Sequence, residues 1–313
     1  MGIILPPLVS VPRILTAGFI ALLWCLIVVF VASAEWQTFT RSGVIVHYHS
    51  IDAPIARAID QRVESMYAAL TDTVGFTPGT TIYVYLCPTA QCFRQQQPGA
   101  TRLPEWAVGV AYPQLSRIVI RSTLAPGEGE HIRPVEIFQH ELAHIVLEQA
   151  LANRGGAPRW LSEGFSMYAA AQWTTHGERT LEEIALRDAF LPLSLLTASF
   201  PANEDSARMA YAQSFSVVAF LLKSYGQYAF QDFILNLRNG MDTNSALLHA
   251  TGRSLKSVEQ EWQEALRLRY SWWLYAIRYG GFWFGASVLF LVAYVIKRLK
   301  MQRIQATWED EED

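Results

Sequence analysis

Two histidines stand four residues apart at 140–144 in the order H-E-x-x-H, a spacing that suits a metal centre. On an α-helix this spacing puts His140 and His144 on one face, where both imidazoles can bind the same metal ion. Glu141 is turned by about 100° from His140. Its carboxylate is therefore expected to reach a water molecule at the metal without being a ligand. Metal-assisted hydrolysis needs this set: neutral imidazoles, one open coordination position and a carboxylate that accepts a proton.

The sequence around the motif predicts the helix that positions it. Pro134 suits a first helical turn, and the breaker sequence at 153–156 is expected to end the helix. Four apolar residues recur at helical spacing and predict that one side is buried: Phe138, Leu142, Ile145 and Val146. The motif then lies at the edge of the apolar face, where a cleft can form.

A second helix is predicted to begin at Pro158 and to contain the sequence W-L-S-E-G at 160–164. Eighteen residues separate His144 from Glu163. H-E-x-x-H followed after eighteen residues by E-G in an apolar helix resembles the gluzincin metallopeptidases. The short W-L-S-E-G version is most similar to the peptidase-MA-like family, a likeness that extends over about 44–270 but is specific only from His140 to Gly164.

The resemblance implies a zinc centre. His140, His144 and Glu163 would bind Zn²⁺, Glu141 would be the general base, and Gly164 would let the two helices pack closely at the metal. Two histidines and one carboxylate form a common catalytic zinc set, although manganese, iron and cobalt also accept such ligands. Aminopeptidases of the M1 type share the ligand spacing, but their G-x-M-E-N loop has no counterpart in this sequence.

A group that stabilises an oxyanion is also expected at such a centre. Tyr211 begins a Y-x-x-S segment similar to one in the gluzincin helical lobe, and it is the first candidate. His131 and His176 are further candidates. The alternative for Tyr211 is a ring in the core with a locally bonded hydroxyl.

Both ends of the chain are apolar. Residues 14–31 are almost uninterruptedly apolar and precede Ala32-Ser33-Ala34, so 1–34 is interpreted as a signal peptide or an uncleaved signal anchor. Residues 280–296 carry no charge, follow an aromatic cluster at 272–279 and precede a basic cluster at 297–303. This pattern predicts a transmembrane helix at 272–296 and a cytoplasmic tail at 297–313. A buried core helix is the alternative.

The remaining 35–271 would then be a domain outside the cytoplasm, held at the cell membrane by one span, or by two if the N-terminal segment is uncleaved. In that compartment a disulfide between Cys87 and Cys92 is expected, with two free thiols as the alternative. The net charge is −3 and no basic stripe is present, so nucleic acid is not an expected partner. His47 and His49 alternate as on a half-exposed strand.

The pattern of elements predicts an α+β fold of the zincin-like type, with a mixed sheet first and a helical half after Pro134. Strands are predicted at 44–49, 81–86, 107–112 and 117–121, and a helix at 54–70. Later helices are predicted at 206–225, 228–239, 244–249 and 255–272. The strand at 107–112 is the candidate edge strand, where a peptide can pair with free backbone groups unless another segment covers it.

Together these features predict a membrane-tethered zinc metallopeptidase outside the cytoplasm that acts on a peptide or protein substrate. One alternative is a non-catalytic zinc-containing binding or assembly module at the membrane. Another is a zinc amidohydrolase that cleaves a non-peptide amide, since the ligand set is the same. The presence of Glu141 favours an enzyme, because a purely structural zinc site needs no base.

Overall fold

A five-stranded mixed sheet is followed by a helical half in a computed structural model of the chain, which confirms the α+β prediction. The structure describes residues 35–99, 103, 107–123, 133–152 and 156–309, without the side chains of 272–282 and 302–309. The proposed signal segment 1–34 and His131 lie outside the described residues. The division into a signal segment, a main domain, a span and a tail stays a prediction.

The sheet places one short strand at a free edge. The strands are β1 Gln37–Arg41, β2 Val44–Tyr48, β3 Ile82–Cys87, β4 Gly109–Tyr112 and β5 Arg117–Arg121, in the order β1-β2-β3-β5-β4. The central strands β2, β3 and β5 are parallel, whereas β1 and β4 are each antiparallel to one neighbour. β4 therefore forms an edge of the sheet, as expected for 107–112, and a 3₁₀ turn at Pro113–Leu115 connects it to β5.

The helices of the described residues account for most of the chain after the sheet. They are α1 Ala53–Asp60, α2 Val63–Val74, α3 Ala90–Gln96, α4 Pro134–Ala150, α5 Arg159–Ala169, α6 Thr175–Arg187, α7 Glu204–Arg238, α8 Thr243–Thr251, α9 Leu255–Arg269 and α10 Trp272–Glu309. α4 begins at the predicted Pro134, whereas Pro158 precedes the first residue of α5 as its N-cap. A further 3₁₀ turn at Ser50–Asp52 leads into α1.

The main core lies between the sheet and the helices. Val84 on β3 and Ile118 on β5 are fully buried in it, while Val119, whose side chain points to the other face of the sheet, packs with Phe93 and Cys87. Cys87 forms a disulfide with Cys92, which confirms the expected pairing. α4 runs beside β4 and β5 and also contacts α5, so the H-E-x-x-H helix lies along the edge strand.

The predicted helix at 54–70 is wrong as a single element. The chain breaks at Gln61–Arg62, and α2 continues to Val74 before ending at the left-handed residue Gly75 (φ 68°). Buried residues at 56, 59, 63, 70 and 74 keep a helical spacing through the break. Apolar periodicity alone therefore could not reveal it.

Three elements, β1, α3 and α6, were not predicted individually from the sequence. α6 lies in the predicted helical half, but no separate helix was predicted at 175–187. β1 is mostly exposed and lacks the apolar alternation that marks a strand. α3 is short and polar, and it is stabilised at its start by Thr89, whose Oγ1 accepts a hydrogen bond from the backbone N–H of Cys92 (3.1 Å).

The long helix α7 contains the break predicted between 225 and 228. Gly226 has φ 83° and ψ 168°, values outside the helical region, so α7 is two helical segments joined at this glycine. The first segment includes Tyr211. The second includes Phe230 and Phe233, which are buried against the aromatic side chains of α5.

The C-terminal helix α10 differs from the element predicted at 272–296. It continues through the basic cluster to Glu309, because the sequence after 296 contains good helix formers and neither proline nor glycine. None of the helices in the described part of the chain has the length and apolar character that crossing a membrane requires. The prediction of a transmembrane helix is therefore not confirmed.

Candidate active site

α4 brings the two predicted histidines together at the floor of a cleft. Their Nε2 atoms are 3.1 Å apart and their ring centroids 4.8 Å apart. Two facing lone pairs would repel at this distance, so the two nitrogens must share either a hydrogen atom in a hydrogen bond or a metal ion. Burial lowers the pKa of His144 to about 4, which keeps that ring neutral, the form in which imidazole binds a metal.

α5 adds the third donor from a separate helix. Oε2 of Glu163 lies 3.7 Å from Nε2 of His140 and 3.8 Å from Nε2 of His144. Burial disfavours ionisation of Glu163, but the hydrogen bond with His140 and the electrostatic effects of the His144 ring and the Arg159 charge outweigh it and lower its pKa to about 2. Glu163 is therefore an ionised carboxylate, as a metal ligand must be.

The donor geometry fits one zinc ion. Ligand atoms at about 2.05 Å in a tetrahedron around zinc are about 3.3 Å from one another, and the three observed separations of 3.1, 3.7 and 3.8 Å bracket that value. His140, His144 and Glu163 form the only such group of three donors among the described residues. The predicted ligand set is therefore brought together at one point.

Two residues that the sequence did not indicate orient the imidazoles. Nδ1 of His140 donates to Oε1 of Gln172 (2.8 Å), and Nδ1 of His144 lies 2.9 Å from Oγ of Ser162. Such bonds fix the ring and leave Nε2 for the metal. Ser162 is the neighbour of Glu163 in W-L-S-E-G, which was a usable signal. Gln172 follows the end of α5, and its contact depends on a turn that no local pattern indicates.

Glu141 is buried between α4 and the edge strand. It is 8% exposed and accepts a hydrogen bond from the backbone N–H of Ala111 on β4. Burial, helped by the charge of Glu163, raises its pKa to about 7, although His140 and the Ala111 bond oppose the shift. The carboxylate is thus suited to gain and lose a proton near neutral pH.

Glycine at 109 permits the close approach of β4 to α4. A Cβ there would lie 2.5 Å from Cγ2 of Ile137 and 2.8 Å from Oε1 of Glu141. Both contacts are shorter than a side chain tolerates, so a larger residue would push the edge strand away from Glu141. The position of the candidate base therefore depends on this glycine.

Gly164 performs a different role from the one expected. A Cβ at Gly164 would lie 2.6 Å from the backbone carbon of Ser214 and 2.8 Å from Cγ2 of Val218. The close partner is therefore α7, whereas the sequence had suggested the helix with the two histidines. Because α7 presses on the residue next to Glu163, the position of the third donor depends on this contact.

A cleft of about 760 Å³ opens above these groups. Residues 107–111 line one side of it, and residues of α4 and α5 together with Tyr211 line much of the remainder. Burial raises the pKa of Tyr211, and the charge of Glu163 adds to the effect, so its hydroxyl stays protonated. The structure thus brings Tyr211 to the cleft. His176 is exposed on α6 and does not line it.

Among the described residues, His47 and His49 do not belong to any group of three side chains that could hold a metal ion. His47 stacks on Tyr85 with ring centroids 4.7 Å apart, while His49 lies beyond the end of β2 and stacks on Trp36 at 4.0 Å. The two rings are therefore engaged with separate aromatic partners, as the half-exposed strand interpretation expected.

A family model described as the Peptidase MA superfamily matches residues 63–268. The chain belongs to this superfamily. The membership confirms the resemblance inferred from His140 to Gly164. Together with the His–His–Glu donor set, it fits the predicted zinc cofactor and the predicted class of zinc-dependent metallopeptidase.

Among solved structures, similar chains are M1 zinc metallopeptidases. One from Deinococcus radiodurans is 19% identical with a TM-score of 0.38, and a mutant from that organism bound to a Tyr-Ser-Ala substrate is 19% identical with a TM-score of 0.37. A mutant two-domain enzyme bound to L-arginine is 18% identical with a TM-score of 0.38. Each alignment covers 75% of this chain and 51% of the other, so the chain spans about half the length of these structures. No protein with a curated description matches the chain.

Replacing Gly164 with alanine is expected to destabilise the domain by about 1–3 kcal/mol, because the new Cβ meets the backbone of α7. Chemical denaturation of the variant measures the change. Gly79→Ala is the matched control, since no heavy atom lies within 4 Å of a Cβ at Gly79, and its effect should stay below about 0.5 kcal/mol. Equal stability of both variants would contradict the packing described here.

Proposed function

We propose that this protein is a zinc-dependent metallopeptidase that hydrolyses peptide bonds with Glu141 as general base. One observation carries the proposal: two histidine nitrogens and a carboxylate oxygen converge beside a second, buried carboxylate at the floor of an open cleft. Membership of the Peptidase MA superfamily supports the same function.

His140, His144 and Glu163 would hold the zinc ion. When bound, zinc lowers the pKa of a coordinated water and stabilises negative charge on a substrate carbonyl oxygen. Glu141 takes the proton of the attacking water and then passes it to the leaving amine. The Ala111 N–H bond keeps the Glu141 carboxylate turned toward the cleft, and its pKa of about 7 suits a group that accepts and releases a proton at neutral pH.

Tyr211 would donate its hydroxyl proton in a hydrogen bond to the oxygen that gains negative charge. It lines the cleft together with Glu141 and Glu163. A raised pKa keeps the phenol protonated, which an oxyanion donor requires. This is the role predicted for Tyr211 from the sequence.

The edge strand would hold the peptide. In an antiparallel pair, alternate residues turn their backbone groups toward the neighbouring strand, and Val108 accepts from the Arg121 N–H of β5 (2.8 Å). Gly109 and Ala111 therefore face the free edge, inside the cleft. Ala111 bonds Glu141 through its N–H, which leaves its C=O and both groups of Gly109 for an extended substrate chain.

The two alternatives receive less support from these residues. A non-catalytic zinc module has no use for a buried carboxylate beside the donors, and burying Glu141 without a function costs free energy. A hydrolase of non-peptide amides would share the donor set, but it would not need a free strand edge along the cleft.

We also propose that the domain works outside the cytoplasm and is held at the cell membrane through its C-terminal helix. Support comes from the aromatic and basic residues that flank 280–296 in the sequence. The exposed side chains of Phe284, Leu289 and Phe290 on α10 also need an apolar environment, and a disulfide such as Cys87–Cys92 persists in oxidising compartments.

Replacing Glu141 with glutamine should remove peptide hydrolysis while leaving one zinc ion per chain, because the amide cannot accept the water's proton but the donors remain. The loss is expected to be about 10²–10⁴-fold or more. Metal analysis and turnover of a peptide library measure both effects. Glu136→Gln, on the exposed side of α4, should keep full activity. Equal activity of Glu141→Gln and the wild type would remove the proposed mechanism.

Replacing Tyr211 with phenylalanine should lower kcat by about 10²–10³-fold with little change in KM, because the lost donor acts mainly in the transition state. Steady-state kinetics on one peptide measure the two parameters. Tyr228→Phe, an exposed site on the same helix, is the control. A change confined to KM would instead assign Tyr211 to substrate binding.

Cell fractionation tests the proposed location. The full chain should stay with the membrane after alkaline carbonate extraction, and removal of 272–313 should release it. Cys87 and Cys92 should resist thiol alkylation until a reductant is added. Recovery of the full chain in the soluble fraction, with both thiols reactive, would contradict this part of the proposal.

A further inference from the structure

Arg159 pairs with one carboxylate oxygen of Glu163, and the other oxygen faces the two histidines. It is the first residue of α5, one helical turn before Glu163, and its Nη2 lies 2.9 Å from Oε1 of Glu163. The other oxygen, Oε2, is the one that faces His140 and His144. The ion pair thus leaves a single oxygen of this carboxylate for the metal.

The same guanidinium reaches the candidate oxyanion donor. The Tyr211 hydroxyl is within hydrogen-bonding reach of Arg159. Arg159 also lies over the ring of Phe200, with Cζ 5.6 Å from the centroid, and Phe200 meets Tyr211 edge-on at 4.9 Å. The backbone N–H of Arg159 donates to the carbonyl of Thr197 (2.7 Å). Arg159 therefore links the third metal donor on α5 to Tyr211 on α7.

An ordinary surface ion pair at this spacing would contribute little, because solvent screens it. The Arg159 side chain is 47% exposed, but its partner Glu163 is only 8% exposed. A buried carboxylate has few other partners to replace the arginine. The cleft is also lined by Arg159 itself, so the pair belongs to the centre and not to the outer surface.

We propose that Arg159 is a positioning residue that makes Glu163 a one-oxygen ligand and holds the Tyr211 hydroxyl toward the reacting carbonyl. The first half concerns metal geometry and stands independently of peptide hydrolysis. The second half rests on the function proposed above. In many helices an arginine four residues from a glutamate only stabilises the helix. The experiment must therefore distinguish a helix-stabilising role of Arg159 from a positioning role.

Zinc affinity tests the first half. Chelator competition on the full chain should show a 10–100-fold weaker affinity for Arg159→Gln, the usual effect of losing a group that orients a ligand. Arg159→Lys keeps the charge but not the planar fork, so its loss should be smaller. The visible spectrum of the cobalt-substituted protein should weaken in Arg159→Gln, because a second carboxylate oxygen raises the coordination number.

The matched control is Arg208→Gln, which breaks ion pairs with Glu204 and Asp205 on the exposed start of α7. It should leave zinc affinity and the cobalt spectrum unchanged. If Arg159→Gln matches wild type in both measurements while unfolding at a lower denaturant concentration, Arg159 is only a helix-stabilising residue and the proposal is overturned. If the glutamine variant does not fold, the lysine variant decides the same question.

A double-mutant cycle tests the second half. In the wild-type background, Tyr211→Phe should lower kcat strongly. In the Arg159→Gln background it should lower kcat by less than about threefold, because the hydroxyl is then already misplaced. Fully additive losses would overturn the coupling. If zinc affinity depends on Arg159 as predicted but the wild-type protein cleaves no peptide, the proposed function is wrong. The proposed role of Arg159 in the geometry of the metal site would still hold.

Discussion

Two buried carboxylates and two partly buried imidazoles lie around a common point, and this burial is the constraint on which the rest of the structure depends. Both Glu141 and Glu163 are buried. A buried charge without partners costs several kcal/mol, so each group needs compensation from a fixed neighbour. Arg159, Gln172, Ser162 and the Ala111 N–H supply it, and a metal ion held by the three donors would complete it.

The same residue type takes two forms because its surroundings differ. Glu163 is ionised by His140, His144 and Arg159, whereas Glu141, with an apolar surrounding and one backbone N–H, has a pKa of about 7. A site with one permanent anion and one carboxylate that titrates near neutrality can bind a metal and transfer a proton at once. The two carboxylates differ because Glu141 on α4 is bonded to β4, whereas Glu163 on α5 lies beside the histidines and Arg159.

The fold supplies the precision that these groups require. Three separate elements must meet: α4 with the histidines, α5 with Glu163, and β4 with Ala111. Gly109 lets β4 approach Glu141, and Gly164 lets α7 press against α5. A Cβ at Gly109 would meet the side chains of Ile137 and Glu141, and a Cβ at Gly164 would meet the backbone of Ser214, so both close approaches require a glycine.

Local patterns were sufficient for much of this arrangement. The spacing of His140, His144 and Glu163 indicated the donors, and the alternation at 107–112 indicated the edge strand, because both signals lie within one element or two neighbouring ones. Contacts between distant elements were not readable. Gln172 reaches His140 across a turn, and Gly164 meets α7, whereas the sequence had suggested the metal helix.

Two local features of the fold were also not predicted, because the apolar pattern of the sequence does not show them. The break at Gln61–Arg62 is hidden because apolar spacing continues through it, and β1 is too exposed to show an apolar alternation. Arg159 was within reach of sequence reasoning, since it stands four residues before Glu163 on one helix face.

X-ray absorption at the zinc edge, combined with metal analysis of the folded protein, tests the central claim most directly. The account predicts one zinc ion per chain with only nitrogen and oxygen ligands, two of them imidazoles, at about 2.0–2.1 Å. Folded protein that binds no zinc after equilibration with the metal, or a sulfur ligand in its shell, would contradict the account.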